Sequence, residues 1–161
     1  MSLSYMPFFI HNFLPELWSG GHVTILISRI VIDTNIYISA IFWGGKPRAI
    51  VDLGRSGEVS IFTSSEIEEE IEKKLKTKFG LSDEEAAQIL LDISTFTVPV
   101  KVSRRIAVID DDPDDDKFIE CAVASRAGFI VSGDKHLIDL KEYEGIEMMK
   151  AADFLSIISK K

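Results

Sequence analysis

Between Ile109 and Asp134 the chain reads Ile-Asp-Asp-Asp-Pro-Asp-Asp-Asp-Lys-Phe-Ile-Glu at its start and Val-Ser-Gly-Asp at its end. Six aspartates surround Pro113 within seven positions. Held at contact distance, each like-charged pair costs about 4 kcal/mol at an effective dielectric near 20. A divalent cation is the natural counter-ion, and an all-oxygen ligand set suits Mg²⁺ or Mn²⁺. Asp33 adds to the group, since it directly follows the apolar run Ile30-Val31-Ile32. A single carboxylate at a strand end is ordinarily a helix cap or a turn former. Here two strand ends, at Asp33 and Asp134, combine with Asp116 in an acidic helical first turn, and one shared metal site accounts for all three.

Other chemistries find little in this sequence. An EF-hand calcium loop needs a glycine at its sharp turn and a bidentate Glu at its last position. No register starting on these aspartates supplies both. His11, His22 and His136 are scattered and Cys121 is the only cysteine, which argues against zinc and excludes an intramolecular disulfide. There is no Gly-x-Ser-x-Gly elbow and no phosphate-binding P-loop. Asp110, Asp111 and Asp114 read as a solvated acidic loop.

The elements that must position these acids follow from periodicity. Ile30-Val31-Ile32 is a β-branched run of the kind found in parallel strands buried on both faces. Helical character resumes at Ile36–Ile41, and a second helix beginning near Pro47 ends at Gly54 or Gly57. Val59–Phe62 reads as a strand. Ser65 with Glu68, and Ser82 with Glu85, have the spacing of capping boxes opening two further helices. Phe96–Val102 is strand-like, with Pro99 marking an edge or a bulge. A helix is expected from about Asp114 to Ala127, with Phe118, Ile119, Ala122 and Val123 as its apolar stripe, and then a strand at Phe129–Val131. Leu137 and Leu140 suit a short helix, Ile146–Met149 a last strand and Ala151–Ile158 a closing helix. Strands alternating with helices predict an α/β fold with a parallel sheet, whose carboxyl edge is where ligands bind. Glu70 stays open on pattern alone. Glu69–Lys73, Glu70–Lys74 and Glu72–Lys76 are favourable i,i+4 pairs, so an exposed, salt-bridged helix face explains them as well as a site does.

A chain of 161 residues is long enough for one self-standing domain. The net charge of −8 disfavours non-specific nucleic-acid binding, but Asp110, Asp111, Asp112, Asp114, Asp115 and Asp116 contribute −6 of it, leaving −2 elsewhere. Neutralising the cluster would leave room for a focused basic rim, to which Lys73, Lys74, Lys76 and Lys78, Lys46 with Arg48 and Arg55, and Arg104 with Arg105 are candidates. Residues 1–28 are set apart as an amino-terminal extension before the domain at 29–161. Their apolar stretch, with Phe8, Phe9, Phe13, Leu14, Leu17 and Trp18, is too short for a membrane span and has neither the basic start nor the cleavage site of a signal peptide. It reads as a peripheral arm, or as an arm packed on a second subunit.

Taken together, Arg29-Ile-Val-Ile-Asp-Thr-Asn35, the helix carrying Ser65 and Glu70, Asp112-Pro-Asp-Asp-Asp116-Lys-Phe-Ile and Val131-Ser-Gly-Asp134 resemble a PIN domain. The branch most similar is that of toxin components of toxin–antitoxin modules. The resemblance runs from about Arg29 to Ile158. It implies a three-layer α/β/α sandwich with a central parallel sheet, whose acids hold Mg²⁺ or Mn²⁺ and hydrolyse RNA phosphodiesters. Position by position it implies Asp33, Glu70, Asp116 and Asp134 as catalytic, metal-binding acids. Asn35, Asp112, Asp115 and Ser132 stand as supporting residues. The extension at residues 1–28 departs from the family pattern and bears on quaternary arrangement.

The resulting expectation is a cytoplasmic, metal-dependent endoribonuclease acting on single-stranded RNA, homodimeric, with no membrane association and with a cognate antitoxin if it is a toxin. Two rivals stay in view. One is a catalytically silent PIN-like scaffold binding RNA or an antitoxin, against which the presence of all four acids counts. The other is an aspartyl-phosphate domain, whose phosphatase form wants an Asp where Asn35 stands.

Overall fold

Strand Ser28–Ile32 (β1) is the middle of the sheet, as its composition requires: Ile30, Val31 and Ile32 are wholly buried. The structure is a computed structural model, and it describes residues 27–160. The proposed arm lies almost wholly outside those residues, although β1 begins at Ser28. Six strands form one sheet in the order β3-β2-β1-β4-β6-β5. β1 pairs in parallel with both Val59–Thr63 (β2) and Phe129–Val131 (β4). Thr97–Pro99 (β3) and Ile146–Met149 (β6) extend the parallel set outward. Only the two-residue edge strand Glu142–Tyr143 (β5) runs antiparallel, against β6.

Seven α-helices connect and cover the strands: Thr34–Phe42 (α1), Gly45–Ser56 (α2), Ser65–Phe79 (α3), Asp83–Ser94 (α4), Asp116–Ser125 (α5), Lys135–Leu140 (α6) and Ala151–Ile158 (α7), among the described residues. Their apolar stripes close a continuous core. Ile67, Ile71 and Leu75 of α3 and Ile119 and Ala122 of α5 are fully buried, as are Ile61 and Ile130 of the sheet. This is the three-layer α/β/α sandwich the sequence led us to expect. No helix among the described residues is long and apolar enough to cross a membrane.

Three local expectations need correction, and one turn was unforeseen. Ser65 does not cap α3: Ser64 is the N-cap residue, it makes no side-chain cap bond, and Ser65 Oγ donates to Glu66 instead. The capping box at Ser82 and Glu85 does form. The strand expected over 96–102 is paired only at Thr97–Pro99, with Pro99 in register with Thr63 as its last pair. The hairpin joining β5 to β6 was unforeseen, yet Glu144 and Gly145 both take positive φ (48° and 82°), as the tightest hairpin turn demands. Finally, the helix expected from Asp114 opens as a 3-10 turn over Pro113–Asp115, and α-helix begins only at Asp116.

Candidate metal centre

The chain leaves β1 toward β2 on one side and returns with β4 on the other, so strand order reverses at the β1–β4 boundary. The carboxyl ends of these two strands flank the crevice where such sheets bind ligands. Asp33 and Asp134 sit at those ends. Asp33 is the N-cap of α1, its Oδ1 accepting the Ile36 N–H at 2.8 Å. Its backbone N–H donates to Val131 O at 3.1 Å, tying the two strand ends together. The Ser132 hydroxyl donates to Asp33 Oδ2, the Gly133 N–H donates to the same oxygen at 3.3 Å, and the Asp134 N–H donates to Ser132 Oγ at 2.8 Å. Burial pushes the Asp33 carboxyl above the usual range, opposed by these hydrogen bonds and by Lys74. Asp134 caps α6 through the His136 N–H. Both aspartates are therefore caps, as the modest reading held, and both also line one shared cleft.

The Asp112–Asp116 segment sorts its carboxylates by direction. Asp116 is buried, and its Oδ1 accepts the backbone N–H groups of Val108 and Ile109 at 3.1 and 3.2 Å. It fastens the incoming segment to the start of α5. Asp115, one residue earlier, carries a buried Oδ2 with no hydrogen-bond partner among the described residues. Burial, followed by repulsion from Asp134, Asp112, Glu70 and Asp33, pushes the Asp115 carboxyl up to about 7. The acid that meets the others is thus Asp115, and Asp116 also lines the cleft while bracing its wall. Asp111 extends into solvent, as expected for the acidic loop, with a side chain 85% exposed.

Glu70 does face the cleft. It is held between Lys117, in the first turn of α5, and Lys74, whose ammonium lies 2.8 Å away. Burial works against its ionisation, but the bonds from Lys117 and Lys74 prevail and hold its carboxyl below the usual range. Lys74 also donates to Asn35 Oδ1 at 3.2 Å, which places Asn35 beside the acids. Lys117 is the functional candidate that sequence reasoning passed over. Its only signal was its place directly after six aspartates. Arg105 closes another wall, paired at 3.0 Å with the buried Glu120, whose Oε1 accepts the Ile106 N–H.

The cleft encloses about 690 Å³, and ten carboxylates and five cationic side chains line it among the described residues. That excess of negative charge, together with the orphaned Asp115 oxygen and donors that are all oxygen, fits a hard divalent cation. Among the described residues, no three acidic or histidine side chains converge as a finished ligand cage. The reason lies in the hydrogen bonds above. Asp33 is turned onto Ser132 and Gly133, Glu70 is clamped by two lysines, and Asp116 and Asp134 each give an oxygen to backbone N–H groups. These side chains nonetheless line one cleft.

The chain is similar in fold to PAE2754 from Pyrobaculum aerophilum, with a TM-score of 0.55, 14% identity, and coverage of 84% of this chain and 98% of that one. It is similar also to VapBC2 from Rickettsia felis, solved bound to a DNA fragment from their promoter, with a TM-score of 0.54, 16% identity, and coverage of 76% and 98%. No curated protein matches the sequence. The PIN domain family model matches residues 29–136, which takes in Asp33, Glu70, Asp115, Asp116 and Asp134. PIN domains are generally nucleases and typically use divalent metal ions. By that match, and with the fold and the acidic cleft in agreement, the chain belongs to the PIN domain family.

Proposed function

We propose that this chain is an endoribonuclease that uses Mg²⁺ or Mn²⁺ to hydrolyse phosphodiester bonds in single-stranded RNA. The observation that carries the reading is the buried, unpartnered Asp115 Oδ2, held against Asp33, Glu70, Asp112 and Asp134 at the sheet's switch point. A site built only for stability would not gather acids whose mutual repulsion opposes their own ionisation. Asp33, Asp115 and Asp134 would hold the ion. Bound there, it would polarise the phosphate and lower the pKa of an attacking water.

The protein's own groups do the rest. Ser132 and Gly133 fix the Asp33 carboxylate through donors to Oδ2. Asp116 keeps the 108–109 segment from collapsing into the cleft. Glu70 holds the Lys117 and Lys74 ammonium groups at the cleft wall, where a phosphate oxygen of the strand could meet them. Asp112 adds an acid at the rim, able to orient water.

We assign the chain further to the toxin side of a toxin–antitoxin module, acting in the cytoplasm as a homodimer restrained by a cognate antitoxin. Support comes from the motif resemblance and from the likeness to VapBC2. The test is cleavage of an unstructured RNA with Mn²⁺, by the parent chain and by Asp33→Asn. Cleavage should require the metal, stop in EDTA and fall by orders of magnitude in the variant. A variant cutting at near the parent rate would remove the nuclease assignment.

A further inference from the structure

Helices α1 and α3 leave the acidic cleft side by side. At the cleft end Lys74 of α3 contacts Asn35 of α1 at 3.2 Å. At the far end Phe42 of α1 stacks on Phe79 of α3, with ring centroids 4.4 Å apart and planes only 6° from parallel. Trp43 leans on both rings, at 5.9 Å from each. Seven residues of helix separate Asn35 from Phe42, which at about 1.5 Å per residue is roughly 10 Å. The aromatic group therefore lies beyond the cleft end of the two helices, with Phe79 next in sequence to Lys78, which lines the cleft.

Two of these rings face water, while Phe79 is half-buried against the core. Trp43 is 70% exposed and Phe42 39%. Leaving a tryptophan in solvent at the end of a helix gains nothing for the fold, because its apolar area is not removed from water. Beside it, the exposed Lys73 and Lys78 line the cleft on α3, and neither is held in an ion pair among the described residues. Exposed Lys46 follows Trp43 three residues later. Aromatic faces interleaved with unpaired cations match a strand of alternating bases and phosphates. A protein partner fits less well. A stable interface buries about 800 Å² per partner, and the only other exposed large apolar side chain among the described residues is Leu91.

We propose that Trp43, Phe42 and Phe79 form a base-stacking platform, with Lys73 and Lys78 tracking the phosphates, that holds the single strand on its way out of the acidic cleft. The platform extends the proposed RNA-directed activity and rests on it for its substrate. It also accounts for a chain of net charge −8 gripping a polyanion: the contact is local, and stacking adds affinity that does not depend on net charge.

The test separates binding from cleavage. The full chain carrying Trp18→Phe reports on Trp43 alone, since the sequence has two tryptophans. It is titrated in EDTA with a short fluorescein-labelled 2′-O-methyl oligouridylate, and in parallel with a labelled abasic strand of equal length and charge, and for every variant binding is read by the anisotropy of the label. The oligouridylate should quench Trp43 and bind more tightly than the abasic strand. Trp43→Ala should weaken oligouridylate binding by roughly 5- to 150-fold, the range for loss of one stacked base, while Trp43→Tyr restores most of it. Replacing Lys73 and Lys78 by Gln should flatten the slope of log affinity against log salt by about 1.4, two single-strand phosphate contacts' worth. Equal binding of the abasic strand would overturn the platform. So would a Trp43→Ala protein that binds RNA normally but sediments differently, because the rings would then be a contact between protein surfaces. If Trp43-dependent binding is found in a parent chain that cuts no RNA with Mn²⁺, the platform stands and the nuclease reading falls.

Discussion

Replacing Asp115 by Asn should stabilise the metal-free protein, and the gain should grow with pH. The carboxyl is pushed from its ordinary value near 3.8 up to about 7 by burial and by its acidic neighbours. A raised pKa means that the folded state holds the proton more tightly than the unfolded chain does. The stability linked to that proton is fully present below about pH 4 and is lost as pH rises through 7. Three pKa units correspond to about 4 kcal/mol. Asp115 is only half-buried, so screening by solvent reduces this to the order of 1–2 kcal/mol. At 2–4 °C per kcal/mol for a chain of this size, Asp115→Asn should melt roughly 2–8 °C above the parent at pH 8 and level with it near pH 4. Millimolar Mn²⁺ should then raise the parent's melting temperature far more than the variant's, since ligand binding stabilises only a state that binds. Asp116→Ala should behave oppositely. It strips the acceptor from the Val108 and Ile109 N–H groups and should cost about 2–4 kcal/mol at every pH. The assay is thermal unfolding by circular dichroism in EDTA from pH 4 to 8, repeated with Mn²⁺. An Asp115→Asn protein melting below its parent at pH 8 without metal would refute the direction in which Asp115 is taken to face.

Lys117→Met should lower stability by about 1 kcal/mol by leaving Glu70 with one cation where it had two, and Glu70→Gln should cancel most of that loss; a double-mutant cycle read by urea unfolding checks the coupling. Deleting residues 1–26 should weaken self-association while leaving Mn²⁺-dependent melting shifts intact. The apolar composition of Phe8, Phe9, Phe13 and Trp18 motivates this, and unchanged sedimentation of the shortened chain would show that the arm plays no part in assembly.

Much of the architecture was legible because burial on both faces leaves a distinct mark. The runs at 30–32, 59–62 and 129–131 contain almost no polar residues, and each is a central strand. The candidate site was legible in outline, since Asp33 follows one such run directly and Asp134 follows another after Ser132 and Gly133. Its finer choice was not. The aspartates of 114–116 look equivalent when a single helix is assumed. The 3-10 turn at Pro113–Asp115 winds at about three residues per turn, not 3.6, so the direction of each side chain departs from α-helical phase. What finally distinguishes Asp116 from Asp115 is the pair of N–H groups at 108 and 109, and no local pattern announces a segment folding back from there. Glu70 was obscured for a different reason. Its i,i+4 partner Lys74 is real, and the second cation, Lys117, comes from 47 positions away.

The bonds that join Asp33 to Ser132 and Gly133 connect positions about a hundred residues apart in the chain. β1 finds β2 early, but β4, which delivers Ser132 and Asp134, is made only after most of the domain, and Ser132 then needs Met149 of β6 as its own backbone acceptor. A growing polypeptide therefore presents Asp33, Glu70 and Asp115 to the cell before the strand that aligns them exists. Synthesis adds about 5–20 residues per second, so the interval between the first acid and the last lasts seconds. Throughout that interval the acids of the growing chain stay unassembled. The order of strands in the sheet thus ties assembly of the acids to the carboxyl-terminal part of the domain, since β4 and β6 must both be in place first.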